Sequence, residues 1–162
     1  PEESYSYLAE SLKEFIDSQI VIKAAAVADF RVGEPEDEKI KKKNNSLTLK
    51  LVKNPDILKG LGEIKKQQII IGFAAETQDL LQNATEKIKS KHLDLIIAND
   101  VSRKDAGFDV DTNLVTLLFP DGSYEELPLM SKEALAHRIF KVIEKLPKFN
   151  LLKSLSLEKG SD

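Results

Sequence analysis

The chain has 162 residues, a formal net charge of −3 and no cysteine, and 41% of its residues are hydrophobic. The length suits one domain with a proper core, and the charge argues against nucleic-acid binding by the whole surface. The lack of cysteine excludes disulfides and thiolate chemistry, which fits a cytoplasmic protein. No apolar run reaches membrane-spanning length, so we expect no membrane contact. Because the first residue is Pro1 rather than Met, we expect the chain to be cut from a longer protein.

An amphipathic helix opens the chain. Ser4 is its expected N-cap, and its apolar stripe consists of Leu8, Leu12, Phe15 and Ile16. The opposite side is charged, so we expect the helix to pack by one face only.

A β-branched and then small-residue stretch follows at Ile20–Ala28, and it predicts a strand buried on both faces of a parallel sheet. The strand ends at the carboxylate of Asp29. Residues 30–45 are charged and poor in large apolar groups, which predicts an exposed loop. Within it, positive charge is dense from Lys39 to Lys43.

The alternation of Leu47, Leu49 and Leu51 with polar residues predicts a half-buried strand. A helix start follows at Asn54-Pro55-Asp56, with Asn54 as the expected cap and Pro55 at the first helical position. Glycines at 60 and 62 weaken the end of this helix.

Two further buried strands are predicted at Gln68–Ala75 and Leu93–Ala98, separated by a helix from Thr77 to about Lys91. The order strand, helix, strand, helix, strand predicts a right-handed parallel α/β sheet.

The last part of the chain predicts an antiparallel hairpin from Asn113–Phe119 and Tyr124–Leu127, and then a helix capped by Ser131. We therefore expect an α/β fold with a Rossmann-like, three-layer parallel sheet and an added hairpin over residues 1–147. Residues 148–162 are expected to form a tail without a clear role.

The carboxyl ends of the predicted parallel strands all turn small and polar, and ligands of open α/β sheets bind at this edge. Asp29, Phe73 and Asn99 lie there, and the start of the Pro55 helix adds backbone donors suited to an anion. Each residue also has a plainer interpretation. Asp29 could simply cap a turn, Phe73 could belong to the core, and Asp56 is already explained as a helix-start residue.

The lysines are open to two interpretations as well. A run such as Lys39–Lys43 is usually a solvated surface, and Lys87 and Lys91 at a helix carboxyl end favourably meet the helix dipole. The seven glycines form no phosphate-cradling loop, and His92 and His137 are not at the spacing of metal ligands. Any triphosphate would depend on lysines and helix ends.

Five segments in register carry a family resemblance: AAAVADFR at Ala24–Arg31, KIKK at Lys39–Lys42, LVKNPDIL at Leu51–Leu58, GFAAET at Gly72–Thr77 and LDLIIAND at Leu93–Asp100. Together they resemble the bacterial phosphopantothenate–cysteine ligases, the synthetase half of the bifunctional coenzyme A biosynthesis protein. The similarity extends over roughly Tyr7–Leu146.

This resemblance implies that the carboxylate of 4′-phosphopantothenate is activated with CTP as an acyl-cytidylate, which the amine of cysteine then converts to the amide. It implies Mg²⁺ on the triphosphate, Lys39 as the catalytic cation, and Asp29 as a ribose or metal-proximal ligand. The residues that it places around CTP are Ala24, Ala25, Asp29, Lys39, Pro55, Asp56, Ile57, Leu58, Phe73, Lys87, Lys91 and, by similarity to the animal enzymes, Asn99.

The resemblance also implies what this chain lacks. The family's domain begins with a further strand and a Gly/Ser-rich loop that hold the acyl substrate, and residues 1–19 do not resemble them. We therefore expect the C-terminal part of the ligase domain, without FMN, with weak CTP binding and no activity alone. A homodimer is implied, without a nucleic-acid partner. Two alternatives are a non-catalytic nucleotide-binding or interaction module and a nucleic-acid binder that uses the basic loop.

Overall fold

The structure, a computed structural model, describes residues 2–25, 27–34, 38, 46–76, 79–100 and 111–159, with side chains described from residue 10 to residue 154. In chain order the elements are α1 (Glu2–Asp17), β1 (Ile20–Lys23), β2 (Phe30–Val32), β3 (Leu51–Lys53), α2 (Ile57–Ile64), β4 (Ile69–Glu76), α3 (Leu80–Ser90), β5 (Leu95–Asp100), β6 (Thr112–Asn113), β7 (Val115–Leu118), β8 (Tyr124–Glu126), β9 (Met130–Ser131), α4 (Lys132–Ile143) and α5 (Pro147–Lys159).

The central sheet has five strands in the order β1-β4-β5-β7-β8. β1, β4 and β5 are parallel, whereas β7 and β8 form an antiparallel hairpin that continues the sheet beside β5. Two small antiparallel ribbons, β2-β3 and β6-β9, lie outside it. The α/β class and the added hairpin are confirmed.

Helices cover both faces of the sheet, which gives the expected three layers. Alternate residues of each strand face opposite layers, as the period of two requires. Ile70 and Ile96 pack with α1, α2 and α3, whereas Ile71 and Ile97 pack with α4 and α5. All four of these side chains are almost fully buried. Within the described ranges, no helix is long and apolar enough to cross a membrane.

Helix α2 comes very close to the end of α3. A Cβ atom added at Gly62 would lie 2.1 Å from the carbonyl oxygen of Lys91, a separation that real Cβ atoms do not reach. The glycine therefore permits an approach that every other residue would prevent. Because the approach sets the distance between the two helices, it also fixes the start of α2 relative to Lys91.

A carboxylate joins the two helix layers beside the first residues of β4 and β5. Asp94 Oδ2 lies 2.6 Å from Nζ of Lys65, just past the end of α2, and Asp94 Oδ1 lies 3.5 Å from Nζ of Lys148 in α5. Oδ2 also accepts the backbone N–H of Ile70 at 2.7 Å. Burial lowers the pKa of Lys65, although the bond to Asp94 opposes this shift. The network thus involves helices from both faces of the sheet.

Several predictions about the first third of the chain are wrong. The first helix begins at Glu2, so Ser4 lies within it rather than at its cap, and Ile16 is 72% exposed. The strand predicted at Ile20–Ala28 ends at Lys23 and is only partly buried. The strand is only partly buried because of its position: among the described strands, β1 pairs with β4 alone and forms an edge of the sheet.

The predicted loop at 30–45 begins with β2, which pairs antiparallel with β3. The rest of its lysine-rich part, including Lys39–Lys43, lies outside the described residues. The half-buried strand expected from Leu47 to Leu51 is also wrong, because these leucines are more than half exposed and regular structure begins only at Leu51. Their alternation reflects a surface ribbon rather than a core strand.

In the C-terminal part of the chain, the predicted cap of the last helix is confirmed, whereas the predicted tail is wrong. Ser131 caps α4, accepting the N–H of Ala134 at 3.1 Å, as predicted. The segment expected to be a tail forms α5 from Pro147 to Lys159, and Leu152 packs into the core. Thr77, where the third predicted helix begins, lies outside the described residues, and Asp79 occupies the cap position of α3.

Replacing Gly62 with alanine should lower the free energy of unfolding by about 1–3 kcal/mol, because the new methyl group must push α2 away from Lys91. Urea unfolding followed by circular dichroism measures the loss. Glu63→Ala is the control at an exposed position of the same helix, where alanine should change stability by less than about 0.5 kcal/mol. Equal losses in the two variants would contradict the close-contact explanation.

Candidate functional site

A small pocket of about 120 Å³ lies between the end of β1, the start of α2 and the end of α3. Leu93 and Ile96 line it on the side of the sheet. Gly72 helps to shape this side, since an added Cβ would come within 3.0 Å of Leu58 and 3.1 Å of Leu93. Eight residues that the sequence predicts for nucleotide binding line this one pocket: Asp29, Pro55, Asp56, Ile57, Leu58, Phe73, Lys87 and Lys91.

Asn54 holds the backbone of this pocket together. Its side chain is 8% exposed, and its Nδ2 donates to the carbonyl of Ala28 at 2.7 Å, while its backbone N–H donates to the carbonyl of Asp29 at 2.8 Å. Its Oδ1 accepts a hydrogen bond from Arg31 at 3.1 Å. Asn54 therefore joins the segment after β1 to the segment before α2.

The assignment of Asn54 as the helix cap is consequently wrong. The cap is Asp56, whose Oδ1 accepts the N–H of Lys59 at 3.1 Å, so α2 begins at Ile57. Both residues suit caps by type, and sequence did not reveal that Asn54 is used for a tertiary contact instead.

Asp56 also forms an ion pair across the pocket. Its Oδ2 lies 2.9 Å from Nζ of Lys91. Burial alone would raise the pKa of Asp56, but the hydrogen bonds from Lys91 and from the N–H of Lys59, with the charge of Lys23, outweigh it and lower the pKa below its ordinary value. The carboxylate is therefore held ionised at the start of α2.

Lys87 has a carboxylate partner of its own. Its Nζ lies 2.6 Å from Oε1 of Glu76, which is 8% exposed and also accepts a 3.2 Å bond from Asn83. Glu76 had no specific signal in the sequence beyond its place at a strand end. Lys87 and Lys91, which the family resemblance places around CTP, thus each have an internal counterion that orients the side chain.

Lys23 is a pocket residue that the sequence analysis missed. It is the last residue of β1, half-buried, and its Nζ donates to the carbonyl of Ala25 at 3.0 Å. Burial and the nearby charge of Lys91 lower its pKa, against the opposing attraction of Asp56 and Asp29. The available signal was the interruption of the apolar run Ile-Val-Ile by a lysine.

Phe73 contributes both to the core and to the pocket, and its contact with a base stays a prediction. It is partly buried and packs against the core on the α4 side, and it also lines the pocket. Asp29 lies on the exposed rim.

Other predicted site residues lie elsewhere. Ala24 and Ala25 are exposed and line a groove beside α1. Asn99 is absent from the pocket lining; its Nδ2 donates to Asn113 at 3.5 Å, and its buried Oδ1 has no hydrogen-bond partner among the described residues. Lys39, the predicted catalytic cation, falls outside the described residues.

The described residues do not form a ready-made metal site. No group of three or more His, Asp or Glu side chains gathers within those ranges. Asp29 and Asp56 share the pocket, but Lys91 already pairs with Asp56. The chemistry of this donor set fits a metal ion that arrives already bound to a nucleotide better than one held by the protein.

An α/β sheet with three parallel strands, and with a lysine-lined pocket next to a helix start, defines a class of domain that suits a phosphorylated ligand. Comparison with known proteins narrows the class. The family described as "DNA/pantothenate metabolism flavoprotein C-terminal domain" matches residues 3–146. The chain belongs to this family.

Individual relatives support this family assignment. The coenzyme A biosynthesis bifunctional protein CoaBC of Bacillus subtilis (strain 168) is 49% identical over 149 residues, covering 91% of this chain and 37% of the relative. A crystal structure of the C-terminal domain of a CoaBC protein matches with a TM-score of 0.68 at 36% identity, over 86% of this chain and 60% of that one. A Cab2 mutant in complex with phosphopantothenate-cysteine matches with a TM-score of 0.50 at 25% identity, over 65% and 36%.

The chain therefore spans little more than a third of the length of the curated relative from Bacillus subtilis.

Replacing Asp56 with asparagine should reduce stability by about 0.5–1 kcal/mol at pH 7, an amount that allows for solvent screening of this partly exposed pair. Because asparagine is also a good cap, the loss of stability measures the contribution of the ion pair with Lys91 rather than that of the cap. Because folding lowers the pKa of Asp56, its contribution is complete above the unfolded value of 3.8 and is lost as the pH falls through the folded value.

Urea unfolding of both proteins between pH 3 and pH 7 measures this dependence. The control is Glu63→Gln, which removes an exposed acid of the same helix that lies 4.0 Å from Lys59. A difference between the Asp56→Asn variant and the original that stayed constant down to pH 3 would contradict the assignment.

Proposed function

We propose that this chain supplies the nucleotide site of a phosphopantothenate–cysteine ligase in coenzyme A biosynthesis. The observation that carries the proposal is the convergence of eight residues, which the family resemblance assigns to CTP, around one pocket. The relatives, among them CoaBC proteins and a Cab2 complex with phosphopantothenate-cysteine, support the same pathway.

The reaction would proceed in two steps. A carboxylate oxygen of 4′-phosphopantothenate attacks the α-phosphorus of CTP and pyrophosphate leaves. The amine of cysteine then attacks the acyl carbon, CMP leaves, and the amine loses a proton as the amide forms. The first step brings two anions together, so its rate depends on cations placed near the α-phosphate.

The described residues provide such cations. Lys87 and Lys91 are fixed by Glu76 and Asp56, respectively, and can donate to phosphate oxygens from defined positions. Lys39 is proposed as the catalytic cation. Magnesium enters as part of the MgCTP substrate and neutralises phosphate charge, with Asp29 as the candidate carboxylate beside it.

The size of the pocket limits how much of the nucleotide it can enclose. A volume of about 120 Å³ is well below the roughly 300–1,000 Å³ of typical ligand sites. One part of the nucleotide, its phosphate groups beside Lys87 and Lys91, would enter, and the remainder would lie over the exposed rim of Ala28, Asp29 and Lys53. Such partial enclosure is consistent with weak binding by the chain alone.

Catalysis by this chain alone is not part of the proposal. The acyl-substrate segment expected from the family resemblance has no counterpart in residues 1–19, and the FMN-dependent half of the bifunctional protein is not expected in this sequence. The chain is proposed to bind CTP, to work in the cytoplasm, and to need further protein for ligation.

We also propose that the chain forms a homodimer. Phe30, Leu47, Leu49 and Leu51 are 52–63% exposed on or next to the β2-β3 ribbon. Apolar side chains grouped on one exposed element favour contact with another protein surface, and a second copy is the partner implied by the family resemblance.

Isothermal titration should show that CTP with magnesium binds at least about tenfold more tightly than ATP. Lys87→Met should weaken CTP binding by about tenfold through loss of one charge-assisted hydrogen bond, and Lys39→Ala should weaken it as well. Lys141→Met, on the α4 surface outside the pocket lining, is the control and should bind as the original does.

Equal binding of CTP and ATP would favour a general nucleotide-binding module. Tight RNA binding with a steep salt dependence, and no response to nucleotides, would favour the basic-loop alternative. Conversion of phosphopantothenate and cysteine by the isolated chain would contradict the proposal that it is incomplete.

Sedimentation equilibrium tests the dimer. The original chain should sediment at twice the monomer mass of 18.1 kDa, whereas a Leu47→Asp, Leu49→Asp double variant should sediment as a monomer, because two charges would be placed in the contact. Leu151→Asp, at a leucine of α5 that is 51% exposed, is the control and should remain dimeric. A dimer that survives the double variant would exclude the ribbon as the contact.

A further inference from the structure

Lys23 differs from Lys87 and Lys91, the two pocket lysines at the end of α3, in the group that its ammonium contacts. Lys87 and Lys91 each lie within 3 Å of a carboxylate oxygen. The Nζ of Lys23 instead donates to a neutral group, the carbonyl of Ala25, at 3.0 Å. Among the described residues, no carboxylate forms an ion pair with it.

The surroundings of Lys23 make this charge unfavourable in the free protein. Its side chain is half-buried, so that part of its hydration is lost, and its pKa is lowered first by this burial and then by the like charge of Lys91. The two acids that face it, Asp56 and Asp29, attract it, but Asp56 is already bonded to Lys91. An added anion would relieve both effects, since it would supply the missing partner and offset the repulsion.

The location also fits an anion. Lys23 lines the same pocket as Lys87, Lys91 and Asp56, at its β1 side. An anion in this pocket would therefore be reached from β1 as well as from α3. Phosphate oxygens are acceptors well suited to an ammonium group that has a free donor.

We propose that Lys23 is a further anion-binding residue of this pocket and donates to a phosphate oxygen of the bound nucleotide. The proposal rests on the proposed nucleotide function and deepens it, because it adds a ligand contact from β1 that the family resemblance did not assign. The charge of Lys23 gives the pocket affinity for the polyphosphate part of the nucleotide rather than for its base or sugar.

A purely structural role is the competing explanation. In that case the hydrogen bond to Ala25 would shape the segment after β1, and Lys23 would never touch a ligand. The two explanations differ in how binding depends on phosphate. A positioning role would affect cytidine and CTP alike, whereas a phosphate contact affects only ligands that carry phosphate.

The test measures the binding of CTP, cytidine and inorganic pyrophosphate, each with magnesium, to the full chain and to Lys23→Met, Lys23→Gln and Lys23→Arg. We expect the Met and Gln variants to lose about tenfold in affinity for CTP and pyrophosphate and less than about twofold for cytidine. The Arg variant should retain most of the affinity, since it keeps the charge. Lys59→Met, at an exposed lysine of α2 that faces Glu63, is the matched control and should bind normally.

Folding does not obscure the result, because removal of a half-buried cation without an acid partner should leave thermal stability unchanged or raised. A second readout is the pKa of Lys23 in protein labelled with carbon-13 lysine, which should rise when pyrophosphate binds.

The outcomes separate the two proposals. Normal CTP binding by the Met and Gln variants, or equal losses for cytidine and CTP, would overturn the role of Lys23 and leave the nucleotide function standing. If the original chain binds pyrophosphate but not CTP, the nucleotide function fails, and the pyrophosphate losses still decide on Lys23. If it binds neither, both are overturned.

Discussion

The close contact between α2 and the end of α3 is the constraint on which the pocket depends. Gly62 allows the helix backbone to lie against the carbonyl of Lys91, and this contact determines how far the start of α2 stands from α3. Asp56, at that start, is then within reach of the Lys91 side chain. Asn54 completes the arrangement from the other side by fixing the segment after β1.

Two of the pocket's lysines, Lys87 and Lys91, form ion pairs with carboxylates of the protein. Glu76 and Asp56 orient two lysines before any ligand arrives, which lowers the entropy cost of ordering them but requires each lysine to share or exchange its partner on binding. The pocket thus combines cations that are already ordered with Lys23, a cation whose charge is poorly compensated. Binding strength then depends on electrostatic balance more than on enclosure.

Sequence patterns predicted the parts of the fold that local chemistry controls. The buried strands β4 and β5 are long apolar runs, and Ser131 caps α4 through a local bond to the N–H of Ala134. The errors arose where tertiary context decides. Asn54 has a side chain typical of helix caps, but it donates a hydrogen bond to the backbone of Ala28 instead. The sequence of Ile20–Ala28 is typical of a central strand, although β1 lies at the edge of the described sheet. Most pocket residues came from the family resemblance, whereas the role proposed for Lys23 depends on its surroundings in the fold, where no carboxylate of the described ranges forms an ion pair with it.

The Asp94 network has a consequence for how the chain comes apart. Its carboxylate is bonded to Lys65 after α2 and to Lys148 in α5, so one residue just before β5 connects the layers on opposite faces of the sheet. Detachment of either layer would remove one of the two lysines that compensate this largely buried carboxylate. The two layers should therefore melt in a single cooperative transition, with α5 as an integral part of the unfolding unit rather than an appendage that frays first.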